Sequence, residues 1–109
     1  MMTLREVCNM VGVSRRAVQG YEEVGLVASS GKNKYGHLLY DDVAVEKIRC
    51  IKQYQEFGFT VKEISMLMVT TDDVYVEMMS NRVEYMKIQL NNLVENIGKA
   101  ERMMAERLQ

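Results

Sequence analysis

Eight apolar residues at alternating steps of four and three constrain this chain most: Met79, Val83, Met86, Leu90, Leu93, Ile97, Ala100 and Met104. That spacing is a heptad a/d seam, and it predicts one helix with a continuous apolar stripe. Thr71-Asp72-Asp73 opens the segment, and no proline interrupts it from there to Gln109. A helix over residues 74–109 would be about 54 Å long at 1.5 Å per residue. The rest of a 109-residue chain is too small to cover such a rod. The stripe must therefore find a partner helix. Heptads alone leave parallel and antiparallel pairing open.

The remaining chain also reads as helical. Proline is absent throughout, and helix interiors exclude it because it removes an amide donor and clashes with the preceding turn. Thr3-Leu4-Arg5-Glu6 has the form of a capping box, followed by Leu4, Val7, Cys8 and Val11 at helical spacing. Gly12 marks a tight turn. Ser14 is an N-cap for a second helix to about Val24, with Val18 and Tyr21 on one face. Gly25 stops it. Residues 28–36 read as a loop between Leu26-Val27 and His37-Leu38-Leu39-Tyr40, two short apolar flanks that predict a small β-hairpin. Asp41 or Asp42 caps a third helix carrying Val45, Ile48, Ile51 and Tyr54, which Gly58 ends. Thr60-Val61-Lys62-Glu63 is a second capping box, opening a short helix with Ile64, Leu67 and Met68 inside. The expected organisation is a domain over residues 1–71 and a coiled-coil helix over 72–109.

Several classes of function are excluded. The chain is too short for a doubly wound nucleotide-binding enzyme or a barrel. No paired-carboxylate arrangement, Ser/His/Asp set or phosphate-cradling glycine loop occurs, so an enzyme is not expected. One histidine and two cysteines do not complete a tetrahedral zinc site without carboxylates. Neither metal nor cofactor is expected. Cys8 and Cys50 read as reduced, buried small hydrophobes. Seven of the ten methionines lie between Met66 and Met104, where they suit irregular packing. No run of apolar residues is long enough to span a membrane, and the start lacks a signal-peptide run. The expected location is the cytoplasm.

Two short helices about a tight turn form a helix-turn-helix candidate. Its second helix would present Ser14, Arg15 and Arg16 outward. Guanidiniums there fork onto phosphate oxygens or guanine edges. Gln19, one turn on, can read adenine. Lys32, Lys34 and Tyr35 on the hairpin loop can hold the flanking backbone as a wing, and His37 reads as a wing-tip polar residue with a phosphate contact as the sharper alternative. With a net charge of −1, nucleic-acid affinity must come from such a local patch. Tyr21 and Tyr40 are candidates both for DNA contact and for core packing with a hydroxyl at the edge.

These residues resemble the MerR family of bacterial transcription regulators. The resemblance is carried by Val11-Gly12-Val13-Ser14-Arg15-Arg16, Tyr21-Glu22-Glu23-Val24-Gly25-Leu26, Gly36-His37-Leu38-Leu39-Tyr40 and Phe57-Gly58-Phe59-Thr60-Val61-Lys62-Glu63-Ile64. It covers roughly residues 3–70. It implies an all-α fold with a small β-hairpin wing: a winged helix-turn-helix followed by a long coiled-coil helix, paired antiparallel in a homodimer. It further implies binding to palindromic promoter DNA, with RNA polymerase and an unidentified small-molecule effector as further partners. The DNA-binding candidates are Ser14, Arg15, Arg16, Gln19, Tyr21, Lys32, Lys34, Tyr35, His37 and Tyr40. The eight seam residues are the candidate dimer interface.

The sequence departs from the family pattern at two places. Where Arg-Tyr-Tyr is usual late in the recognition helix, this chain has Gln19-Gly20-Tyr21. Where the wing usually reads Gly-Tyr-Arg-x-Tyr, it has Gly36-His37-Leu38-Leu39-Tyr40, with no wing arginine. The expectation is weaker affinity or an unusual operator. The alternative is a coiled-coil interaction module whose degenerate winged domain binds DNA weakly or not at all.

Overall fold

A computed structural model describes residues 1–109. The elements run β1 (Met2–Thr3), α1 (Leu4–Val11), α2 (Arg15–Glu23), β2 (Gly31–Lys32), β3 (Leu38–Tyr40), α3 (Asp42–Glu56), α4 (Val61–Leu67) and α5 (Asp72–Arg107). The chain divides into two units, Met1–Val69 and Thr70–Gln109. The fold is mostly helical with a small winged sheet and a long C-terminal helix.

Each helix starts where a side chain satisfies a free amide. Thr3 and Thr60 head capping boxes with Glu6 and Glu63. Ser14 Oγ accepts from the Ala17 amide at 3.0 Å and Asp41 Oδ1 from Ala44 at 2.8 Å. Thr71 caps α5. These bonds involve residues three apart and are therefore legible locally.

The helix-turn-helix corner depends on Gly12. Its φ of 78° lies in the left-handed region, and its amide closes α1 onto the Cys8 carbonyl at 2.9 Å. A Cβ there would also meet Lys52 Nζ at 3.0 Å. Lys52 comes from α3 and donates to the Val11 carbonyl at 3.1 Å. A cation thus caps the negative end of α1 and ties the corner to the scaffold.

The sheet has the order β1-β3-β2, antiparallel throughout, with Met2 opposite Tyr40 and Lys32 opposite Leu38. The hairpin differs from expectation in two respects. Its outer strand is Gly31–Lys32 rather than Leu26-Val27. Val27 is instead buried in the core, and the Leu26 amide is taken by the Tyr21 carbonyl at 2.9 Å. That stretch closes the end of α2 and anchors it. The third strand, Met2–Thr3, was not anticipated, because a two-residue strand has no periodicity to read. Val7, Val18, Ile48, Ile51 and Ile64 are fully enclosed in the core of the first unit. Cys50 is exposed and Cys8 only partly buried, which corrects the reading of both as core residues.

The second unit is one helix of 36 residues that continues through Gly98 and buries no residue at all. Leu90, Leu93, Ile97 and Met104 are each at least half exposed. No helix is long and apolar enough to cross a membrane.

Candidate nucleic-acid interface

Helix α2 is two-faced. Val18 and Tyr21 point into the core, so Arg15, Arg16 and Gln19, on the other faces, remain exposed. Ser14 is exposed and spent as the N-cap. The first turn of α2 has no acidic residue. Ion pairs join Glu46 to Arg49, Lys52 to Glu56 and Glu84 to Lys87. Arg15 and Arg16 take part in none of them.

The wing tip is held in shape by Asn33. Its Oδ1 accepts from the Tyr35 amide at 2.9 Å and the His37 amide at 3.0 Å. The Asn33 carbonyl accepts from Gly36 at 3.0 Å, and Gly36 adopts φ 80° to close the turn. The side chains outside this turn are all exposed: Lys32, Lys34, Tyr35 and His37. The Lys34 ammonium lies 5.1 Å from the Tyr35 ring centroid, and the Tyr35 and His37 rings are 6.4 Å apart. The tip offers cations and aromatic faces together, a combination suited to a sugar–phosphate strand.

Two of the candidate residues sit elsewhere. Tyr21 and Tyr40 are 3% and 1% exposed. The Tyr21 hydroxyl donates to Gln55 Oε1 at 2.6 Å and the Tyr40 hydroxyl to Glu22 Oε1 at 2.5 Å. Burial raises both phenols above their ordinary pKa, and the Glu22 carboxylate pushes Tyr40 up further. Both tyrosines pack in the core with their hydroxyls engaged. There Tyr40 links the wing strand to α2, and Tyr21 links that helix to α3.

Between α2, the wing and the start of α1 lies a cleft of about 580 Å³. Its walls include Arg15 and Gln19 from α2, and Gly36, His37 and Leu38 from the wing. Thr3, Leu4 and Arg5 complete it. Sequence reasoning missed Arg5 because it lies ten residues from Arg15 and only the fold brings the two to one cleft.

Residues 2–70 match the family described as MerR HTH family regulatory protein. The chain belongs to the MerR family. It is 28% identical over 104 residues to the mercuric resistance operon regulatory protein of Bacillus cereus, covering 93% of this chain and 78% of that protein. It is 28% identical over 100 residues to the HTH-type transcriptional activator TipA of Streptomyces coelicolor, covering 92% of this chain. It spans only 37% of TipA and 38% of the nodulation protein NolA of Bradyrhizobium elkanii. Among solved structures, a MerR-family regulator from Bacillus cereus superimposes with a TM-score of 0.81 at 19% identity, covering 96% of this chain and 81% of that one. HiNmlR, a MerR-family regulator lacking the sensor domain and bound to promoter DNA, gives 0.70 at 18% identity, covering 94% and 86%. This MerR-family chain is accordingly a DNA-binding transcription regulator by family.

Proposed function

We propose that the chain regulates transcription as a homodimer on palindromic promoter DNA, with α2 in the major groove and the β2–β3 wing on the flanking backbone. In this reading residues 1–71 bind DNA and residues 72–109 dimerise. The observation that carries it is the outward face of α2: Arg15, Arg16 and Gln19 are exposed and neither arginine is ion-paired, beside a wing tip of exposed Lys34, Tyr35 and His37. Tyr21 and Tyr40 serve as supports for that face rather than as contacts. RNA polymerase is the further partner that promoter binding implies.

The seam on α5 supports the dimer, and its flanking charges favour one orientation. In heptad terms Met79 is a d position and Val83 an a position. Parallel pairing would set Arg82 at g against the partner's Lys87 at e, a like-charge contact made twice by symmetry. Antiparallel pairing centred between Asn91 and Asn92 sets Met79 on the partner's Met104, Val83 on Ala100, Met86 on Ile97 and Leu90 on Leu93. Arg82 then lies beside the partner's Met103 and Lys87 beside the partner's Val94. The like-charge contact is gone. Two DNA-binding units so joined read two half-sites, and the coil sets their spacing.

Genomic footprinting with the purified dimer, repeated with Arg16→Ala, tests the reading. A palindromic footprint that weakens in the variant is the expected result. Undiminished binding by Arg16→Ala with an unchanged salt slope would count decisively against α2 as the recognition helix. Absence of any gel shift at low salt would instead favour the interaction-module alternative.

A further inference from the structure

Arg5 has no role in the helix capping, the core or the helix-turn-helix corner. It is the second residue of α1 and is exposed. It shares the cleft of about 580 Å³ with Arg15, Gln19, His37 and Leu38. Neither Arg5 nor Arg15 is ion-paired. Glu6, beside Arg5, is committed to the Thr3 amide at 3.2 Å and the Thr3 hydroxyl at 3.0 Å. Both arginines occupy the first turn of a helix, where the dipole opposes a positive charge. Local stability therefore gives neither of them a reason to be there. On the wing side of the same cleft stands the apolar Leu38, while the wing's own cations, Lys32 and Lys34, lie outside the lining.

We propose that this cleft seats a phosphodiester of the bound DNA backbone, and that Arg5 together with Arg15 supplies the positive charge that no wing residue brings to it. The inference rests on the reading of α2 as a DNA-binding helix. Guanidiniums suit the task because their planar forks match phosphate oxygens in pairs. Leu38 offers an apolar wall for the deoxyribose, while Gln19 and His37 border the seat. Such a contact positions the duplex and carries no sequence information.

The test is fluorescence anisotropy with a fluorescein-labelled random-sequence duplex across a KCl series. Arg5→Ala is expected to bind about tenfold more weakly at low salt and to lose about 0.9 from the slope of log K against log[salt], the share of one phosphate contact. Arg5→Lys keeps the slope. Leu38→Arg introduced into Arg5→Ala restores slope and affinity, because it returns a cation to the same cleft. Melting temperatures stay close to wild type, which separates these effects from misfolding. Wild-type affinity and slope in Arg5→Ala would overturn the proposal, and so would failure of Leu38→Arg to rescue. If the wild-type protein binds no duplex at low salt, the DNA-binding reading itself fails, a result told apart by the parent protein alone.

Discussion

The Tyr21 hydroxyl on α2 donates to Gln55 Oε1 on α3 at 2.6 Å, across 34 residues of sequence. It is one of two tyrosine bonds that fix α2, the other being Tyr40 to Glu22. The two ends of the bond differ in burial, since Tyr21 is in the core and Gln55 is exposed. Removing them should therefore have unequal costs. Tyr21→Phe leaves Gln55 to water and is expected to cost about 1 kcal/mol. Gln55→Ala strands a buried hydroxyl and is expected to cost about 2 kcal/mol. Urea denaturation of the single and double variants checks both. Equal losses would mean that water reaches Tyr21.

Gly20 lies within α2 at a position where an added Cβ meets nothing within 4 Å. No positive φ requires a glycine there. Gly20→Ala should thus stabilise the protein by about 1 kcal/mol through the unfolded chain and helix propensity. The denaturation midpoint should rise. A fall would reveal a contact that the free space does not show.

Ser14→Ala removes the cap of the same helix, in which Ser14 Oγ accepts from the Ala17 amide at 3.0 Å. The expected loss is about 1 kcal/mol. Because Arg15 and Arg16 follow directly, fraying of that turn should also weaken duplex binding, read by anisotropy. Loss of stability with full binding would show that the first turn re-forms on DNA.

Stability should decline in alkali. Burial, and then the Glu22 carboxylate, raise the Tyr40 phenol above its ordinary value. A group with a raised folded pKa contributes stability that is complete below its unfolded value of about 10 and is lost as pH climbs from there. Melting temperatures taken from about pH 8 into this range should fall, and fall less steeply in Tyr40→Phe. Parallel curves for the two proteins would remove Tyr40 as the cause.

The seam on α5 makes a topological prediction. With Cys8 and Cys50 changed to serine, Met79→Cys plus Met104→Cys should oxidise to a covalent dimer, while Met79→Cys alone should not. A crosslink in the single variant would show parallel pairing. Leu93→Glu, at the centre of the stripe, should yield a monomer by analytical ultracentrifugation.

Much that depends on neighbours a few residues apart could be read from the chain alone. The caps at Thr3, Ser14 and Thr60 join residues three apart, whereas the structure chose Asp41 over Asp42 and set Thr71, ahead of Asp72-Asp73, as the cap of α5. The turn at Gly12 and the heptad stripe are likewise local patterns, and they determined the helices, the corner and the unpartnered face of α5. The tertiary structure decided what sequence distance hides. It paired Met2–Thr3 with Leu39 and Tyr40, drew Tyr21 and Tyr40 inward, and brought Arg5 to the cleft of Arg15 and Leu38. For the tyrosines and for Arg5 the physical reason is the same. Tyrosine has both an apolar ring and a polar tip, and arginine carries its charge at the end of a long stem. Neighbours supplied by the fold, rather than residue type, determine which part of each side chain is used.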